Sequence, residues 1–244
     1  MKLENPRIPE GINVSKEHPL KELAWLLGIV AIAAAVLVGT ISVTAGYLAT
    51  LIPFSYEREL VERFPSLHPE PSPTREYLQD LADRIAATQD LPGDMVITVH
   101  YKDEDVVNAF ATLGGNVFFY RGLIEKLGSE DALAMVMAHE IAHIKHRHPV
   151  VAMGRALTTG IALSAVAGFS GSSTGERLIG DASMLTALSF SRGQESESDK
   201  TALESLIDLY GHGAGAVALL EVFLETHGES PAYAPEFLST HPHT

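Results

Sequence analysis

The stretch 129–149, SEDALAMVMAHEIAHIKHRHP, decides how the rest of the chain is read. Ser129 can cap a helix, and Glu130 and Asp131 in its first turn favour the positive end of the helix dipole. Ala132, Leu133, Val136, Met137, Ile141 and Ile144 then make the segment a largely buried helix. Lys145, His146, Arg147 and His148 before Pro149 read as a basic C-terminus with a proline stop. Inside this apolar pattern sits His139-Glu140-Ile141-Ala142-His143, the spacing HExxH. Residues four apart share a helix face, so both imidazoles can converge on one zinc ion. Glu140 follows the first of them and is placed to take a proton from a water that zinc has acidified toward a pKa of about 7.

A catalytic zinc needs a third protein ligand and one open position. The extended pattern HExxHxxGxxH fails, because position 146 is His rather than Gly and position 149 is Pro rather than His. The other common source is a Glu on a later helix, and the segment 189–203, SFSRGQESESDKTAL, offers it. Glu195 and Asp199 are four apart and share a face. Glu195 is assigned as the third metal ligand and Asp199 as the acceptor of a ring N–H from a zinc histidine. Glu197 lies about 160° round the helix from that face and is expected in solvent. His146 is expected to complement the end of its helix, and His148, His212 and His227 to be surface or structural residues.

The chain has 244 residues, 17 Lys+Arg against 31 Asp+Glu, a net charge of −14 and no Cys. Lack of Cys excludes disulfides, thiolate metal sites and a cysteine nucleophile. The acidic balance argues against nucleic acid as a partner, because phosphate binding needs clustered Lys and Arg. Leu23 to Tyr56 is a run of 34 residues without a charge, bracketed by Glu22 and Glu57. That length suits a helix crossing a lipid bilayer, with Trp25 and Tyr47 near its ends. The expected organisation is a polar tail (1–22), a membrane-spanning helix (23–52), a Pro-rich linker (53–74) and a folded domain (75–244). The 22 polar residues ahead of the run, mixed in charge, argue against a cleaved leader. Lys2, Arg7, Lys16 and Lys21 precede the run, against Arg58 and Arg63 after it. This balance favours the N-terminus in the cytoplasm and the domain outside; the expected location is single-pass in a bacterial inner membrane, with the domain on the outer, periplasmic side.

The folded part should open with a helix capped by Thr74, carrying Tyr77, Leu78, Leu81 and Ile85 on one face. A turn at 91–94 and strands at 95–101, 106–112 and 116–121 follow, with Gly114-Gly115 joining the last two. Residues 150–190 favour small-residue helices over the site or at the membrane surface rather than a second span, and helices are expected at 194–210 and 214–227.

These residues resemble the membrane-linked zinc metallopeptidases that include HtpX, the Oma-type proteases and the CAAX prenyl endopeptidases. Asn108-Ala109-Phe110-Ala111 with Gly114-Gly115 is similar to the family's NAFA-x-x-GG block. HEIAH at 139–143, Ser191-Arg192 with Glu195 and Asp199, and Ser239-Thr240-His241-Pro242 match further blocks in the family's order. The resemblance covers roughly residues 75–244. It implies a gluzincin domain, α+β and mainly helical with a small sheet, preceded by one membrane helix. It implies one Zn²⁺ per chain on His139, His143 and Glu195, with Glu140 as catalytic acid and base. It further implies that the strand after Gly115 is the edge on which substrate lies, with Asn108, Gly115, Asn116 and Val117 as substrate-binding residues. His241 would be a catalytic donor to the oxyanion or a displaceable metal ligand. The chain departs from the family at Thr112-Leu113, where Leu-Pro is usual, at Ser198 before Asp199, and in stopping at Thr244 before the family's Arg.

The expected function is a membrane-anchored zinc endopeptidase with polypeptide substrates, drawn from misfolded or damaged membrane and envelope proteins, and with the lipid bilayer as its other partner. The alternative is a membrane-tethered, chaperone-like binding module whose zinc site is latent. A prenyl-peptide endopeptidase is disfavoured, since one clear span is too few to build a chamber within the membrane. Oligomeric state leaves no signal in the sequence.

Overall fold

The computed structural model of the chain describes residues 19–63, 69–166 and 190–227. It divides into two compact units, Met1–Ile41 and Ser42–Thr244. The first unit consists, among its described residues, of the opening turns of helix α1 (Pro19–Ala49). Leu20–Ala49 contains an 18-residue window of mean hydropathy 2.6 and is long and apolar enough to cross a membrane.

The second unit holds the remaining elements. They are α2 (Phe54–Glu62), α3 (Pro73–Thr88), β1 (Thr98–Lys102), β2 (Ala109–Thr112), β3 (Asn116–Tyr120), α4 (Arg121–Leu127), α5 (Glu130–Lys145), α6 (His148–Val166), α7 (Arg192–Tyr210) and α8 (Ala214–His227). The architecture is α+β and mainly helical, as expected. α5 is its axis: Ala132 through Ile144 are all buried, with α3, α7 and α8 packed around it. An apolar cluster joins Leu78, Leu81 and Ile85 of α3 to Val136, Met137 and Ile141 of α5 and Leu206 of α7.

Several helix ends differ from expectation for local reasons. Ser72, not Thr74, caps α3: its hydroxyl accepts the Arg75 N–H at 3.1 Å, and Pro73 fills the first helical position. The buried face of α3 runs through Leu78, Leu81, Ala82 and Ile85, which leaves Tyr77 exposed. Pro149 opens α6 rather than closing α5; α5 ends at Lys145, and Arg147 takes a left-handed φ of 61° to reverse the chain. The expected linker is not extended throughout. Phe54, Glu57 and Val61 of α2 are buried against the folded unit, and Pro53 stands at that helix's N-cap. α6 realises the first part of the expected small-residue region. It lies against the last turns of α1, where Gly46 faces Val151 and Arg155, Gly154 faces Ala45, and the Ser42 and Thr159 hydroxyls are 3.3 Å apart.

The sheet order is β1-β3-β2, with β1 parallel and β2 antiparallel to β3. This corrects one implication of the resemblance: β3, the strand after Gly115, is central, and both its sides are paired. The outer side of β1 is closed by α3. Gln79 accepts the Val99 N–H at 2.9 Å and donates to the Ile97 carbonyl at 3.0 Å, while Arg75 donates to the Val99 carbonyl at 3.0 Å. The other edge is β2, which runs beside α5. The turn between β2 and β3 requires glycine, with φ of 70° at Gly114 and 81° at Gly115. A Cβ on Gly115 would collide with the Val96 carbonyl.

Glu57 ties this turn to the end of α5. One carboxylate oxygen accepts the Gly114 N–H at 3.1 Å, and the other pairs with Arg147 Nη2 at 2.6 Å. Arg147 also donates to the Ile52 carbonyl at 2.7 Å. Burial raises the Glu57 carboxyl above its ordinary value, against the opposing pull of Gly114 and Arg147. The folded state therefore holds this proton more tightly than the unfolded chain does. The linked stability is present below the unfolded carboxyl pKa of about 4.3 and is lost as pH rises through the higher folded value. Glu57→Gln keeps an acceptor for Gly114 and sheds the charge, so its urea midpoint at pH 7 is expected to match or exceed that of the parent chain. A loss of about 3 kcal/mol, the cost of leaving Arg147 without its ion-pair partner, would show that the ion pair outweighs burial.

Candidate metal centre

HExxH lies in the buried C-terminal half of α5. His139 and Glu140 are 5% and 0% exposed, and His143 is 0% exposed. One turn of helix brings the two ring Nε2 atoms to 2.9 Å from each other. Glu195 enters from the first turn of α7, itself fixed by a capping box in which Ser191 and Gln194 exchange hydrogen bonds. Its carboxylate oxygens lie 3.4 Å from His139 Nε2 and 3.7 Å from His143 Nε2. Zinc bonds of about 2.0–2.2 Å in a tetrahedron put neighbouring ligand atoms roughly 3.4 Å apart. The three side chains could hold a metal ion, and the imidazole-carboxylate donor set fits zinc.

The surroundings fix ring orientation. Asp199 Oδ1 is 2.9 Å from His139 Nδ1, the contact expected of a carboxylate that anchors a ligand's tautomer. Burial disfavours a charged His139, but the hydrogen bonds its ring donates to Asp199 and Glu195, with Glu140 nearby, outweigh it and push its pKa up to about 10. A cation in the cluster would compete with that proton. Phe190 stacks on the His143 ring with centroids 4.0 Å apart.

The spacing argument missed the other side of His143. His148 is 3% exposed rather than superficial, and its Nδ1 lies 2.9 Å from His143 Nδ1. Its Nε2 is 3.2 Å from a Glu197 carboxylate oxygen. Burial, with His146 nearby, lowers the His148 pKa to about 4 despite Glu197. Glu197 is half exposed, as its position on the helix suggested, yet its carboxylate reaches both His148 and His146. His146 meets Thr201 of α7 at 2.9 Å rather than the cluster. His212 is exposed beside Tyr210, as expected. A sequence signal for His148 existed in its five-residue distance from His143, but only the reversal at Arg147 makes the two meet.

Among the implied substrate residues, Asn108, Gly115, Asn116 and Val117 are all buried. Asn116 belongs to a polar group inside the sheet: its Oδ1 accepts from His100 Nε2 at 2.7 Å and its Nδ2 donates to the Leu113 carbonyl at 2.8 Å. Asn108 precedes the β2 edge, and its carbonyl accepts the Tyr120 N–H at 3.2 Å. Its side-chain oxygen is buried with no hydrogen-bond partner among the described residues. His241 lies outside the described residues, as do 167–189 of the small-residue region.

A mainly helical domain with a three-stranded sheet, HExxH on its central helix and a glutamate from a later one, is the gluzincin type of metallopeptidase domain. Residues 72–244 match the description "Peptidase family M48", and the chain belongs to that family. It is 28% identical over 188 residues to the beta-barrel assembly-enhancing protease of Yersinia pestis, covering 68% of this chain and 36% of that one. It is 29% identical over 190 residues to the mitochondrial metalloendopeptidase OMA1 of Schizosaccharomyces pombe, covering 77% of this chain and 55% of that one. A 51-residue stretch is 47% identical to the beta-barrel assembly-enhancing protease of Escherichia coli, covering 21% of this chain and 10% of that one. The chain thus spans from about a third to about half of the length of the first two relatives.

Removing Glu195 leaves two imidazoles, too few to close the site. Purified Glu195→Ala is expected to hold far less zinc than the parent chain, which should carry about one equivalent. Metal analysis after gel filtration checks this; equal zinc in the two proteins would remove Glu195 from the ligand set.

Proposed function

We propose that the chain is a zinc-dependent endopeptidase, anchored by α1 in a membrane and acting on polypeptides. The observation that carries this reading is the convergence of His139, His143 and Glu195 on one buried point, next to a fully buried Glu140. Held by those three side chains, zinc would supply a Lewis acid for the scissile carbonyl and acidify water for attack. Glu140 takes the proton of the attacking water and delivers it to the leaving amine nitrogen. Asp199 keeps the His139 ring in the tautomer that presents Nε2.

The strand order moves the proposed substrate track from β3 to β2. An extended peptide gains main-chain hydrogen bonds along an open edge. α3 covers β1, and β3 is paired on both sides, so β2 beside α5 is the edge that suits a substrate. Asn108 at the head of that strand offers its buried side-chain oxygen to the peptide. His241 retains the role the resemblance implied, as a donor to the oxyanion or a displaceable ligand.

The apolar length of α1, and the names of the relatives, support a place in membrane or envelope protein quality control. The proposed organisation keeps a polar tail (1–22), a span within 23–52 and a catalytic domain from about residue 72 onward, with α2 added to that domain's support. The charge balance around the span supports an orientation with the N-terminus in the cytoplasm and the domain on the outer side, which in the proposed bacterial inner membrane is the periplasm.

Glu140→Gln is expected to keep its zinc and lose cleavage of an unstructured protein such as casein by at least about 10²-fold, the lower range for a positioned acid–base group. His139→Ala should lose both zinc and cleavage. Full casein cleavage by a zinc-loaded Glu140→Gln chain would contradict the proposed role of Glu140. A zinc-loaded parent chain that binds unfolded protein without cutting it would favour the chaperone-like alternative.

A further inference from the structure

We infer that His148 is a positioning residue for the metal-binding imidazole of His143, and that Glu197 fixes His148 in turn. The inference rests on the zinc-site reading above and extends it to two residues outside HExxH and outside the Glu195–Asp199 pair.

The tautomers follow from the geometry. A His143 that offers Nε2 to a metal keeps its one ring hydrogen on Nδ1. That nitrogen faces His148 Nδ1 at 2.9 Å, so His143 donates and His148 accepts. A neutral His148 that accepts on Nδ1 carries its own hydrogen on Nε2. That nitrogen is 3.2 Å from Glu197 Oε2, an acceptor. The series therefore runs with one hydrogen-bond sense, from His143 through His148 to Glu197, and every ring nitrogen has a defined role. The Ser198 hydroxyl, 3.4 Å from His148 Nδ1, can add a second hydrogen bond to the same nitrogen.

Burial makes this arrangement consequential. His143 and His148 are both in the interior, where a misplaced ring hydrogen has no water to turn to. The chain also places His148 rigidly. It is the first residue of α6, directly after the left-handed turn at Arg147 that Glu57 and the Ile52 carbonyl hold. α7 thereby orients both zinc imidazoles: Asp199 acts on His139 directly, and Glu197 acts on His143 through an intervening ring.

The test is zinc affinity of the full chain in detergent, measured by competition with a chromogenic chelator. His148→Leu keeps the bulk and removes the acceptor. It is expected to weaken zinc binding by about 10- to 100-fold, the usual effect of losing a partner that orients a ligand. His148→Asn offers a carbonyl oxygen in place of Nδ1 and is expected to recover most of that loss. Glu197→Ala, on a half-exposed position that tolerates truncation, should weaken zinc binding in the same direction by a smaller factor. Should His148→Leu fail to fold, His148→Asn against Glu197→Ala carries the comparison. Zinc affinity unchanged in His148→Leu, or equally poor in His148→Leu and His148→Asn, overturns the positioning role. With His148→Leu unfolded, Glu197→Ala equal to the parent chain overturns it as well. A parent chain that takes up no zinc fails the proposed function itself, which separates the two claims.

Discussion

Two imidazole nitrogens 2.9 Å apart and a carboxylate facing both, all largely buried, form the constraint around which this fold is arranged. Moving a charged group into such an interior costs several kcal/mol unless an opposite charge and good hydrogen bonds meet it. A divalent cation held by these three groups would answer the carboxylate and both lone pairs at once. The surrounding elements keep those three groups in place. α5 supplies both rings from one face, and α7 crosses it to bring the carboxylate. The capping box at Ser191 sets where α7 begins, and therefore where Glu195 falls.

The acidic residues of α7 show how one short segment can serve a whole site. Glu195, Glu197 and Asp199 alternate along its first turns. Glu195 faces His139 and His143, Asp199 meets the far nitrogen of His139, and Glu197 meets His148 behind His143. The segment before the family-matched region contributes too. Phe54 and Glu57 of α2 lie under the glycine turn at 114–115, and Glu57 reaches the arginine that reverses the chain after α5. That arrangement links the segment following α1 to the turn between β2 and β3 and to the entry of α6.

Much of this was legible in the residues, because the decisive signals are local. The period of α5, the four-residue step between its histidines and the step between Glu195 and Asp199 need no knowledge of distant chain. Helix 214–227 is found within those same bounds for that reason. What could not be read is nonlocal. A strand's place in a sheet depends on its neighbours, so the edge position that the resemblance implies for β3 gives way to a central one. Proline density suggested an extended linker, but Pro53 and Pro73 stand at helix starts, where a missing N–H costs nothing. His148 and Glu197 looked idle because a helical wheel describes one helix at a time, and their meeting depends on the turn at Arg147 between two helices.

The most direct test of the central claim is anomalous diffraction at the zinc absorption edge from crystals of the zinc-loaded chain. The account predicts one strong peak within bonding distance of His139 Nε2, His143 Nε2 and a Glu195 oxygen, about 2.0–2.2 Å from each. A peak elsewhere, or one bonded to the two rings with the Glu195 carboxylate turned away, would contradict it.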